Sequence, residues 1–146
     1  MEIANLNQIN NSPDIWEKRT NTFQSFLNNR LIVSVSKSIH LLPLDSIVYL
    51  SAESNYCNIT MSDGKSILSS KTLKFYETLL IDKGFLRVHS GFLINLNRVS
   101  KICKKNGFNI QMDTGKIIPV SLSYKNNLFK FSSINSLCEK THQIKN

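Results

Sequence analysis

Residues 85–99, FLRVHSGFLINLNRV, put a guanidinium, an imidazole and a small-residue bend inside an otherwise apolar run. Arg87 and His89 interrupt the run, and Ser90-Gly91 bends it. A chain heading into its core either spends such groups on packing, or uses the core to aim a short polar loop outward. Acid–base or nucleophilic chemistry finds little support. The imidazoles are only His40, His89 and His142, there is no glycine-rich phosphate loop, and no paired carboxylates form a plausible motif. Cys57, Cys103 and Cys138 are an odd number of widely spaced thiols with no C-x-x-C pair, unlike a disulfide framework or a zinc site. They read as reduced, partly buried thiols. The chain is therefore read as a non-enzyme with no metal and no cofactor.

Charge supplies a direction. Lys+Arg minus Asp+Glu is 18 − 10 = +8, with a sequence pI near 9.5. Glu2, Asp14 and Glu17 balance Lys18, Arg19 and Arg30, so the excess lies entirely beyond residue 30. A basic domain attracts polyanions over roughly 8 Å at physiological salt. Nucleic acid, an acidic membrane surface and an acidic protein all fit that attraction. The leading residues lack the apolar core of a signal peptide, and no apolar run nears the roughly 20 residues a bilayer demands. A cytoplasmic protein without a membrane association is expected.

The elements that would hold these groups change character along the chain. The first dozen residues are Asn-rich and read as disordered. Trp16, Phe23, Phe26 and Leu27 then fall near one face at helical spacing, which predicts an amphipathic helix over 14–28. From residue 31 the texture is short strands and tight turns. Asp63-Gly64, Asn106-Gly107 and Thr114-Gly115 each separate strand-like runs, pairing YCNITM with KSILSS, VSKICKK with FNIQMD, and the latter with KIIPVS. A helix is predicted over 71–82, capped by Ser70, with Leu73, Tyr76, Leu79 and Leu80 buried. A last helix follows Pro119, capped by Ser121 or Ser123, with Tyr124, Leu128 and Phe131 on one face and a continuation through SSINSLCEK. The fold class is mainly β: small packed antiparallel sheets with two short helices, plus the N-terminal amphipathic helix. The division expected is 1–30 as an extension, 31–134 as the domain and 135–146 as a tail.

The order of these pieces resembles the LytTR family of bacterial DNA-binding domains. The match rests on Phe85, Arg87, Val88 and His89, then Phe92-Leu93-Ile94-Asn95. It extends to LDSIVYLSAESNYCNI, the DGK hairpin, the TLKFYETLL helix and the IPVS before the last helix. The resemblance covers about 31–131. It implies that loops between strands, rather than a recognition helix, enter DNA grooves, and that two copies bind direct repeats and bend the duplex. Family members commonly carry a receiver domain, for which the roughly 30 residues ahead of the match are too few.

On that resemblance, His89 and Ser90 can donate to a phosphate or meet a base edge; equally, His89 can tie down its own bend. Asn55 and Asn58 can read adenine edges, or Asn55 can close a plain Asx turn. Tyr56 sits in the same loop, where cross-strand packing competes with DNA contact, and Glu53 should face away. Ser121, Ser123 and Lys125 surround a helix start, a natural phosphate seat that is compatible with simple capping. Lys101 and Lys104, with Arg98 and Lys105, form a basic strand and hairpin that is either a phosphate contact or a solvated face. Arg87 is expected to brace a carboxylate or lie beside an aromatic. Two departures from the family pattern stand out: Ser90-Gly91 replaces a basic residue followed by serine, and Leu122 stands where arginine is common.

The reading that results is a stand-alone, sequence-specific transcriptional regulator binding double-stranded DNA. Residues 14–28 would serve a homodimer or a partner regulator. The rival reading is a protein-interaction module on the same scaffold, an anti-activator that binds DNA weakly and forms a stable protein complex dependent on Trp16 and Phe23. An RNA-binding β module would want exposed aromatics on a sheet face, whereas these aromatics sit mostly at core-like positions.

Overall fold

The computed structural model describes residues 26–130. Most of the predicted N-terminal helix, Phe131, the continuation beyond it and the tail with Cys138 and His142 lie outside the described residues. Residues 26–28 are helical. The chain divides into two compact units, the first ending at Leu44 and the second beginning at Asp45.

In the first unit, β1 (Arg30–Val35) and β2 (Ser38–Pro43) form an antiparallel hairpin. The sequence shows one alternating run here; the structure folds it back at Ser36, whose φ of 52° lies in the left-handed region. Leu31, Val33 and Leu42 are buried, while Ile32, Ile39 and Leu41 point to the exposed face. Arg30 lays its guanidinium over the Phe26 ring, 4.2 Å from the centroid.

The second unit carries two sheets. β3 (Ile47–Glu53), β4 (Tyr56–Met61), β5 (Ser66–Ser69), β6 (Phe85–His89) and β7 (Phe92–Asn95) make a five-stranded antiparallel sheet in the order β5-β4-β3-β7-β6. β8 (Val99–Cys103), β9 (Asn109–Met112) and β10 (Ile117–Pro119) make a three-stranded one. Their apolar faces meet in a core of Val48, Val88, Ile94, Ile110, Met112, Ile118 and Leu128. Both hydrophobic strand faces are thereby removed from water, the main favourable term in such a sandwich.

All three hairpins expected from the glycine dipeptides form. Only Asn106-Gly107 places both residues at positive φ, at 56° and 93°. At Asp63-Gly64 and Thr114-Gly115 only the glycine does so, and the Gly64 and Gly115 N–H groups close three-residue loops onto the Met61 and Met112 carbonyls. Those are turns with a left-handed glycine bulge rather than two-residue turns.

Helix α1 (Leu73–Leu80) crosses the opposite face of the larger sheet. Its cap is Thr72, whose Oγ1 accepts from the Phe75 N–H, rather than Ser70. Leu73, Tyr76 and Leu80 are buried as expected; Leu79 is 43% exposed and is not part of the stripe. At the far end of the sheet the buried Asn95 donates to the Ile47 carbonyl and accepts from the Asn97 N–H, which stops β7 and turns the chain toward β8. Among the described residues no helix is long and apolar enough to cross a membrane.

Candidate nucleic-acid interface

Strand register brings three short segments to one end of the larger sheet. β3 and β7 pair antiparallel, so the two-residue Ser54-Asn55 turn between β3 and β4 lies beside the Ser90-Gly91 turn between β6 and β7. The Ala52 N–H donates to the Gly91 carbonyl at 2.9 Å and joins them. On the other side of β6, a 3-10 turn (Leu122–Tyr124) follows Ser121 and leads into a helical stretch at 125–130. The Ser121 N–H donates to the Val88 carbonyl at 2.9 Å, and Asn127 Nδ2 donates to the Arg87 carbonyl at 3.0 Å. A β-bulge between Arg87 and His89 frees that Val88 carbonyl from the ladder. Bulges of this kind re-aim side chains next to functional sites. The three segments form a row: the β3–β4 turn, the β6–β7 turn, then 121–127.

The β6–β7 turn is tightly tied. Arg87, 8% exposed, donates from Nε to the His89 carbonyl at 2.9 Å and from one terminal nitrogen to the Ser90 carbonyl at 2.5 Å. Its other terminal nitrogen pairs with Glu77 Oε1 of α1 at 2.9 Å, and its guanidinium lies 5.3 Å from the Tyr124 ring centroid. This is the carboxylate-and-aromatic brace expected of Arg87. His89 Nδ1 accepts the Gly91 N–H at 3.0 Å, and the imidazole stands edge-on to Phe92 with centroids 5.6 Å apart. Ser90 is exposed.

In the first turn Ser54 takes a φ of 57°, and Asn55 is exposed. Among the described residues the Asn55 side chain makes no hydrogen bond, so an Asx turn does not close this loop. Tyr56 is 49% exposed rather than packed, and its cross-strand partner is Glu53. Glu53 was expected to face away; paired with Tyr56 and exposed, it shares Tyr56's face beside the turn. Asn58 lies on that same face, half-buried between Ser51 and Leu68.

In the third segment Ser121 occupies the cap position, but its Oγ makes no capping bond and is buried without a partner. The expected capping by Ser121 is thus geometric only, and Ser123 is exposed within the 3-10 turn. Leu122 is 87% exposed. Lys125 is held by two rings, its Nζ 4.8 Å from the Phe108 centroid and 5.2 Å from that of Phe129. Lys104 lies just past β8, at the β8–β9 tip; that tip is near the third segment, because the Val120 N–H donates to the Phe108 carbonyl.

Two cations sit elsewhere. Lys101 stands opposite Gln111 on the outer face of the smaller sheet, away from the row. Arg98, grouped with the lysines by sequence, is at the opposite end of the strands. Its guanidinium donates twice to the Asp45 carbonyl and pairs with Asp113 at 3.0 Å, so it braces a loop. Sequence reasoning missed Glu77 and Asn127. Glu77 had a readable signal, a carboxylate placed next to the buried Tyr76 within the helix stripe. Asn127 had none.

The model of the LytTr DNA-binding domain family matches residues 37–133, more than half of the chain. The chain belongs to the LytTr family. Over 123 residues it is 32% identical to the sensory transduction protein LytT of Bacillus subtilis (strain 168), covering 83% of this chain and 50% of that protein. A LytT of Bacillus cereus is 28% identical over 109 residues, 73% of this chain and 44% of its own length. The chain spans about half the length of these curated LytT relatives. A solved LytTr DNA-binding domain from Bacillus cereus matches with a TM-score of 0.62 at 24% identity, covering 70% of this chain and 94% of that one. That likeness concerns the fold, and it agrees with the mainly β class expected from sequence.

Proposed function

We propose that the chain is a cytoplasmic, sequence-specific DNA-binding regulator of transcription that sets the β3–β4 turn, the β6–β7 turn and residues 121–126 against the grooves of a duplex. Two copies on direct repeats would bend the DNA between them, with residues 1–30 as an extension available for pairing. One observation carries the reading: three turns of a LytTr-family chain are linked in a row by backbone hydrogen bonds, with His89, Ser90, Asn55 and Ser123 on or beside them. Lys104 and Lys125 lie toward the third turn and supply charge for phosphates. Ser121, Tyr56 and Asn58 flank the contacts, and Lys101 serves at most the general attraction.

Affinity should come mainly from counterion release, and specificity from a few base contacts and the cost of bending. The test is titration of a labelled duplex, selected from genomic fragments, at two salt concentrations. Selective binding that weakens steeply with salt is expected. Equal affinity for all duplexes would remove sequence specificity, and a flat salt response would remove the electrostatic mechanism.

Leu122 favours a second reading. A large apolar side chain 87% exposed in the third segment suits a protein surface better than a phosphate. As an interaction module the chain would bind DNA weakly and without selectivity, and would form a stable complex with another regulator through residues 14–28.

A further inference from the structure

We propose that Arg87 is the positioning residue of the interface: it touches no DNA, and it sets the spacing and aim of the second and third turns in the row. The inference rests on reading that row as the DNA-contacting surface.

The argument begins with geometry. A guanidinium is a rigid planar fork of five donors. Here one edge of the fork reaches two successive carbonyls, those of His89 and Ser90. Fixing both carbonyls fixes the peptide planes on either side of Ser90, and with them the directions in which the His89 and Ser90 side chains leave the backbone. The same guanidinium lies 5.3 Å from the Tyr124 ring centroid, and the Arg87 backbone carbonyl holds Asn127. One residue therefore ties the second turn to the third. Glu77 supplies the counter-charge that a nearly buried cation requires, and brings α1 into the arrangement.

Stability alone does not account for this choice of residue. A buried ion pair is often no more stabilising than well-packed apolar side chains of similar volume. What an apolar residue cannot supply is two angularly fixed bonds to neighbouring carbonyls. Lysine cannot supply them either, because its ammonium is a single point of charge on a flexible stem.

The test compares the full chain with Arg87→Lys and Asn127→Ala. In the free protein, amide exchange is followed at Gly91 and Ser121, whose N–H groups lie in the second and third segments, and at Leu50 and Ile59 in the sheet. Arg87→Lys should speed exchange at Gly91 and Ser121 at least tenfold and leave Leu50 and Ile59 unchanged. Asn127→Ala should affect Ser121 alone. In DNA titrations, Arg87→Lys should lower the ratio of specific to non-specific affinity about tenfold with an unchanged salt slope. A salt slope reduced by about one in Arg87→Gln, which removes the charge that Arg87→Lys keeps, would make Arg87 a phosphate contact and overturn the proposal. Exchange that is unchanged at the turns, or raised uniformly through the domain, would overturn it too. Should Arg87→Lys not fold, Tyr124→Leu decides, because it removes the ring beside the guanidinium and keeps an apolar side chain: faster exchange at Ser121 with lost selectivity supports the tie, and unaltered exchange and selectivity refute it. If the unaltered chain shows no DNA selectivity, the functional reading fails, while the exchange results still decide the brace.

Discussion

His89 shows how one side chain can satisfy two readings that look exclusive in the sequence. Its Nδ1 accepts the Gly91 N–H, so the neutral ring carries its proton on Nε2. One nitrogen ties the bend while the other remains a donor, and the edge-on contact with Phe92 orients the ring. Asparagine can place Oδ1 near the position of Nδ1, but it has no donor at the far side. His89→Asn should therefore keep its thermal midpoint within a few degrees and lose about fivefold in specific DNA affinity, the worth of one neutral hydrogen bond of about 1 kcal/mol. His89→Ala should lose the tie as well and melt lower. Asparagine binding as tightly as histidine would show that the Nε2 donor is unused. Leu122 allows the converse experiment. Its 87% exposure leaves room for Leu122→Arg without repacking, and an added phosphate contact should steepen the salt dependence by about 0.9 in log–log slope. An unchanged slope would place position 122 off the duplex.

At the scale of elements, local chemistry was legible and long-range register was not. The glycine dipeptides announced three hairpins because left-handed φ is rare without glycine or asparagine. The β1–β2 turn escaped notice because Ser36-Lys37 has no such signal; cross-strand pairing of Val35 with Ser38 holds Ser36 in the strained region instead. Helix α1 was read one core residue too rich. Leu79 shares its helical period, but a helix of 8 residues lying across a sheet buries only the narrow stripe of Leu73, Tyr76 and Leu80. The row of turns depends on Ala52 meeting Gly91 and Ser121 meeting Val88, partners far apart in the chain. No periodicity encodes such meetings, and only the family resemblance suggested that the segments act together. The corrected cap is testable. Thr72→Ala should cost about 1 kcal/mol in urea denaturation, and Ser70→Ala should change little. The reverse ranking would restore Ser70 as the cap.

For the molecule as a whole, alkaline pH probes the packing beneath the row. Cys57 follows the first turn, has no exposed surface, and carries a thiol pushed up to about 12 by burial, with nearby Arg87 pulling weakly the other way. Burial also raises the Tyr76 hydroxyl; its bond to Ser69 opposes the rise and Cys57 adds to it. As pH climbs past 9, the ordinary thiol value, the unfolded chain releases the Cys57 proton while the folded chain keeps it up to about 12. The folded state then binds more protons, so stability falls with rising pH across that window and is independent of this thiol below it. Each such group contributes a slope of at most about 1.4 kcal/mol per pH unit. Urea unfolding free energies measured from pH 8 to pH 11 should therefore decline. Cys57→Ala opens a small cavity that lowers stability at every pH alike, so the slope rather than the level is diagnostic. The variant should lose the thiol's share of the decline and keep that of Tyr76. Identical slopes in the two proteins would mean that water reaches Cys57, and that the sheet beneath the turns is looser than a rigid platform for groove contacts requires.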